Sequence, residues 1–203
     1  MDKDSTAGNT PVIIFDGWRA LCISLYMALV GYTVMVSVPV LSTALVEMAG
    51  FTEVQVGRIW GADLGGLSAG AVLSSFLVAR VNRRKLVMFG VLLSIVANGF
   101  CMVMSEYDQI LWLRAAAGVG SGIFTAVAVV SLGGTTNPVR AFNILLFGFA
   151  ISTALELHFF PQLAMNEIYL LFMLLALLCA VFVKWVPSRP LNEEELAHQE
   201  KIE

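Results

Sequence analysis

Six predominantly apolar runs, each about twenty residues long, limit what this chain can fold into more than any other feature of it. A run of that length crosses about 30 Å of hydrocarbon as a helix. The runs fall at about 20–46, 54–79, 86–104, 110–132, 141–160 and 168–186, with short polar turns between them. Composition agrees, because 58% apolar and 13% charged residues, at a mean hydropathy of +0.82, leave too little charge to clothe a water-soluble domain of 203 residues. The alternating pattern of an outer-membrane barrel is absent. The expected fold class is therefore an all-α membrane protein with six transmembrane helices.

Charge then orients the bundle. Ten of the twelve Lys and Arg fall in tails or loops on one side of a six-span topology, the exceptions being Arg58 and Arg114. The densest basic cluster, Arg80 to Lys85, lies between the second and third spans, and the acidic turn Glu106-Tyr107-Asp108 falls on the opposite side. By the positive-inside rule the basic side is cytoplasmic, so both termini are expected there, residues 1–18 as one tail and 188–203 as a second, with the six-helix bundle over 19–187. Ser42-Thr43-Ala44 faintly resembles a signal-peptidase site, but the apolar stretch before it is too long for a cleaved signal and reads as a retained helix. The net charge of −3 gives no nucleic-acid reading, and Cys22, Cys101 and Cys179 have no metal-ligand spacing and read as small core residues. No cofactor or metal is expected.

Besides Arg58 and Lys184 near span ends, three charges lie inside the apolar runs: Asp63, Arg114 and Glu156. A guanidinium at membrane depth costs about 2.5 to 3.5 kcal/mol on insertion scales, so Arg114 must face protein, water or a carboxylate. Asp63 lies about nine residues into its span, roughly 13 Å deep at the helical rise. The topology puts all three in the outer half of the membrane, where they could meet. Two carboxylates against one guanidinium leave one acid short of a partner, which makes that acid a candidate proton carrier; the alternative is a permanent ion pair holding helices together.

Small residues mark close helix approaches. The second span carries two ladders, Gly57, Gly61, Gly65, Ala69 and Gly66, Gly70, Ser74, and the fourth carries Gly118 and Gly122 one turn apart. Tyr26, Thr33 and Ser37 form a polar stripe along the first span, and Arg114, Ser121 and Thr125 a row along the fourth. The hydroxyls of such rows can bond back to their own helix carbonyls. A membrane serine hydrolase using Ser121 and His158 is the rival class. Against it, Val119 stands where the nucleophile motif needs glycine.

Two motifs bring in a family. Ser75-x-x-x-Ala79-Arg80-x-Asn82-Arg83-Arg84-Lys85 looks like a worn form of the Gly-x-x-x-Asp-Arg-x-Gly-Arg-Arg loop between helices two and three of the major facilitator superfamily. Arg114-x-x-x-Gly118-x-Gly120-x-Gly122 is similar to that family's fourth-helix motif. Over about residues 19–187 the chain resembles the N-terminal six-helix half of such a transporter, and the resemblance implies two three-helix repeats in the bundle. It also implies secondary active transport of a small solute, with Arg114 associated with proton coupling, Arg80, Arg83 and Arg84 with cytoplasmic gating, and the rows Tyr26, Thr33, Ser37 and Arg114, Ser121, Thr125 lining one half of the substrate path. The family's fifth-helix antiporter signature is missing, with only Gly148-x-x-x-Ser152 in its place. Because the family normally has twelve helices, the expected partner within the bilayer is a second six-helix half or a second copy, the reading of a non-transporting accessory subunit being the alternative. The expected location is the bacterial inner membrane.

Overall fold

The computed structural model describes residues 17–187, and these are helical almost throughout. Six α-helices follow one another: α1 (Trp18–Ala49), α2 (Glu53–Leu77), α3 (Arg83–Cys101), α4 (Tyr107–Gly133), α5 (Pro138–Phe159) and α6 (Met165–Val181). Short 3-10 turns at Phe160–Gln162 and Val183–Trp185 follow α5 and α6. The tails expected at 1–18 and 188–203 lie outside the described residues, apart from Gly17 and Trp18. Four helices, α1, α3, α4 and α5, are long and apolar enough to cross a membrane. The 25 residues of α2 suffice in length, but glycine, serine and Asp63 dilute its apolar character, while α6 is apolar and has 17 residues.

Local chemistry sets the helix ends. Thr52 and Gln55 form a reciprocal capping box at the start of α2, so two otherwise orphaned backbone donors are satisfied there. Gly50 ends α1 at φ 70°, a left-handed conformation that costs glycine little, and the amide of Phe51 donates back to Leu45 O at 3.3 Å. Asn137 caps α5 through Arg140 N, with Pro138 at the first helical position, where its missing amide hydrogen is not needed. Helix α3 begins at Arg83, three residues earlier than the apolar run indicates, because the Asn82 side chain accepts from Arg84 N at 2.9 Å.

Helix α4 is the hub, packed against α1, α2 and α3, with its closest approach to α2. That approach is made by glycine from both sides. A Cβ at Gly118 or Gly122 would collide with the α2 backbone at Asp63 or Leu67, and one at Gly66 or Gly70 would collide with the α4 backbone at Ala115 or Val119. On a second side Gly120 faces Gly90 of α3, and on a third Thr125 fits against Gly31 of α1. The ladder Gly57, Gly61, Gly65 packs against no helix among the described residues, since a Cβ at any of the three would meet open space. It faces outward because Asp63 turns the opposite side of α2 toward α4: Gly61 and Gly65 stand about 200° around the helix from Asp63, whereas Gly66, Gly70 and Ser74 share its side.

The helix ends divide by charge. Trp18 stacks edge-on against Trp185, and Arg84 Nε donates to Val186 O at 2.8 Å, so the starts of α1 and α3 meet the end of α6. A cavity of about 270 Å³ lies between the start of α1 at Trp18 and the α4–α5 turn at Thr135 to Arg140. Among the described residues Arg19, Arg80, Arg83, Arg84, Lys85, Arg140 and Lys184 stand at this end and no acid does. Glu47, Glu53, Glu106, Asp108 and Glu167 stand at the other, with Arg58.

Candidate functional site

Two buried polar clusters occupy the acidic half of the bundle. In the first, Arg114 points from α4 into the body of the protein and is fully buried. Its Nε donates to Asp63 Oδ2 of α2 at 2.9 Å, its Nη2 also bonds that oxygen, and Nη1 donates to Asn98 Oδ1 of α3 at 2.8 Å. Asn98 in turn donates to Ser94 O at 2.8 Å. The guanidinium carbon lies 5.6 Å from the ring centre of Trp60 and 5.8 Å from that of Tyr169. Asp63 is 2% exposed, and the pair is the one ion pair among the described residues. Such an arrangement ties four helices, α2, α3, α4 and α6, to a single cation. Breaking a buried pair by removing one partner costs about 3 to 5 kcal/mol, because the other charge is left uncompensated.

The second cluster sits where α5 meets α1. Glu156, 8% exposed, lies with Oε2 3.3 Å from Ser37 Oγ. The single proton of Ser37 already has a nearer acceptor, Thr33 O at 2.6 Å, and Thr33 Oγ1 donates to Leu29 O at 3.1 Å. Ser152, one turn before Glu156 on α5, likewise donates to its own helix at Phe149 O. The one proton of Ser37 is thus within reach of both Thr33 O and Glu156 Oε2, and no cation stands against Glu156 among the described residues.

The three charges singled out from sequence therefore do not form one network. Arg114 and Asp63 come together, while Glu156 turns to Ser37 and makes no ion pair among the described residues. The physical reason is that Asp63 and Asn98 already occupy the guanidinium's donors from α2 and α3, and α5 approaches α4 only slightly.

The two polar rows also divide. Thr33 and Ser37 reach the Glu156 cluster, but the Tyr26 hydroxyl donates to Leu175 O of α6 at 3.0 Å. Ser121 is buried, donates to Gly118 O at 2.9 Å, and faces α3 and α6 across an internal void of about 20 Å³ whose other polar walls are Ser94 and Asn98. Thr125 is buried against α1. Ser121 and Thr125 thus fill the interior of the bundle and half-buried Tyr26 lies on its α6 side, so none of the three lines an open path through it, a correction to their expected role. His158 is exposed and rests edge-on against Phe159, making no contact with Ser121.

At the basic end Arg80 is exposed, Arg83 is buried in the first turn of α3, and Arg84 holds the backbone after α6. Two of the three expected gating residues are therefore part of a helix, not of a loop. Asn98, Trp60 and Tyr169 were not expected at the ion pair. Asn98 was open to notice as the one amide in the third run, whereas the two aromatic rings carry no signal that separates them from ordinary core.

Helices with lipid-compatible surfaces around buried ionic and polar clusters define an integral membrane protein of the multi-pass helical type. The chain belongs to the Major Facilitator Superfamily, whose family model matches residues 22–203. Members of that family are transporters and not enzymes. A comparison with curated proteins finds no match.

Proposed function

We propose that the chain is the six-helix body of a secondary active transporter that moves a small solute in exchange for, or together with, protons. All six helices cross the bilayer in this reading, as two three-helix repeats with both chain ends on the cytoplasmic side of a bacterial inner membrane. The concentration of basic residues at one end of the bundle supports that orientation.

The observation that carries proton coupling is Glu156, a buried carboxyl that has hydroxyl neighbours and no ion pair among the described residues. A buried carboxyl with no cation beside it is far less costly to hold neutral than charged, and the Ser37 hydroxyl can donate to the anion or accept from the acid. Glu156 is thus the proton carrier, Thr33 and Ser37 its first hydrogen-bonding neighbours, and the Arg114–Asp63 pair a staple that keeps the body rigid while α5 moves against α1. Arg80, exposed at the basic end, is the residue left free to act in cytoplasmic gating.

A partner completes the site. Of the α5 side chains only Ala141, Leu145 and Glu156 are buried, and the outward ladder Gly57, Gly61, Gly65 on α2 is open to a close neighbour. That neighbour is a second six-helix half or a second copy, with the solute between them. The test is detergent-corrected mass together with uptake of a solute panel into proteoliposomes holding a pH dye. A two-body assembly that moves a solute with protons supports the proposal. A monomer that transports overturns the need for a partner, and a monomer that moves nothing favours an accessory subunit.

A further inference from the structure

A lipid-facing groove of about 300 Å³ runs between the start of α1 and the end of α6, lined by Cys22, Ile23, Tyr26, Leu178, Phe182 and Trp185. Its walls suit hydrocarbon, because the one hydroxyl among them is already bonded to Leu175 O. At its mouth the Arg19 guanidinium lies 5.5 Å from the ring centre of Trp18 and 5.8 Å from that of Trp185, and Trp185 packs on Phe182 within the groove at 4.8 Å. Two indoles thus position a cation over the end of an apolar slot. No acidic side chain stands at that end of the bundle among the described residues, so none of them answers the charge of Arg19.

From this juxtaposition of an apolar groove and an indole-held guanidinium, we infer that the α1–α6 groove is a binding site for an anionic phospholipid, its acyl chain in the groove and its headgroup phosphate on Arg19. Indole rings favour the headgroup level of a bilayer, and a basic residue there attracts anionic lipid. The exposed Lys184 beside Trp185 adds a second positive charge at the same level. The site serves the membrane-embedded body itself and does not depend on whether the chain transports. A zwitterionic lipid offers the same acyl chain without net charge, which gives the control.

The full chain, purified in mild detergent, is offered phosphatidylglycerol or phosphatidylcholine of identical acyl composition, and retained lipid is counted by native mass spectrometry. Phosphatidylglycerol should be retained preferentially. Arg19→Ala should lower that retention about fivefold, the contribution of one basic residue near a charged surface. Arg19→Lys should keep most of it, and Lys85→Ala, at the same end but away from the groove, should change nothing. Cys22→Trp, which fills the groove, should reduce retention of both lipids while the far-ultraviolet helical signal stays unchanged. Equal retention of the two lipids, an equal loss in Lys85→Ala and Arg19→Ala, or a lipid-free dimer covering the groove would overturn the site.

Discussion

Replacing Asp63 by Asn keeps the shape of the residue at the α2–α4 contact and removes its charge. Arg114 is then left fully buried, with an amide and Asn98 as hydrogen-bond partners and no anion to balance it. Two of the three bonds from the guanidinium run to Asp63 Oδ2, and losing one member of such a buried pair costs about 3 to 5 kcal/mol. That is a large share of the stability of any domain. Arg114→Met should cost a similar amount by stranding Asp63, while the double variant Asp63→Asn with Arg114→Met removes both charges and should recover part of the loss. The rescue is specific to Asp63: Glu156→Gln added to Arg114→Met should recover nothing, because Glu156 bonds Ser37 and not the guanidinium. Unfolding in mixed micelles, followed by circular dichroism, gives each free energy and the coupling from the double-mutant cycle. A single Asp63→Asn variant within about 1 kcal/mol of wild type would refute the staple, since a buried unpaired guanidinium cannot be that inexpensive.

Other outcomes follow from the same contacts. Gly118→Ala should markedly lower the unfolding midpoint, because its Cβ would collide with the Asp63 backbone, whereas Gly61→Ala, in open space within the single chain, should raise the stability of the dissociated monomer by about 1 kcal/mol through helix propensity. Cysteines introduced at Asn82, just before α3, and Asp108, in the first turn of α4, should react with an impermeant thiol reagent from opposite faces of the membrane, and labelling from one face would contradict the proposed topology. In proteoliposomes with the assembled transporter, Glu156→Gln should abolish solute-dependent pH changes while leaving the unfolding midpoint within about 2 °C of wild type, the small shift of a variant that loses under 1 kcal/mol.

The helices were legible from sequence because membrane spans declare themselves by length and apolarity, but their ends moved, with caps such as Asn82 and Asn137 starting α3 and α5 earlier and α3 and α6 stopping at Cys101 and Val181, short of the apolar runs. The charge pairing was half legible: Arg114 demanded an anion, but depth alone did not choose between Asp63 and Glu156. The choice lay in the glycines. Gly66 and Gly70 share a side of α2 with Asp63, so the ladder that packs is the one that carries the charge inward. Gly57, Gly61 and Gly65 show the same spacing on the other side, and spacing without that anchor names no partner. The roles of Tyr26, Ser121 and Thr125 were not legible, since a hydroxyl in an apolar helix satisfies itself on its own or a neighbouring backbone as readily as on a solute.

The central claim is that one buried carboxyl, that of Glu156, holds a transferable proton while Asp63 remains an anion on Arg114. Infrared spectroscopy of the purified chain at neutral pH, in wild type, Glu156→Gln and Asp63→Asn, tests it directly. The account predicts a carbonyl band of a protonated carboxylic acid that disappears in Glu156→Gln and persists in Asp63→Asn. A wild-type spectrum without that band, or a band lost with Asp63 instead, would contradict it.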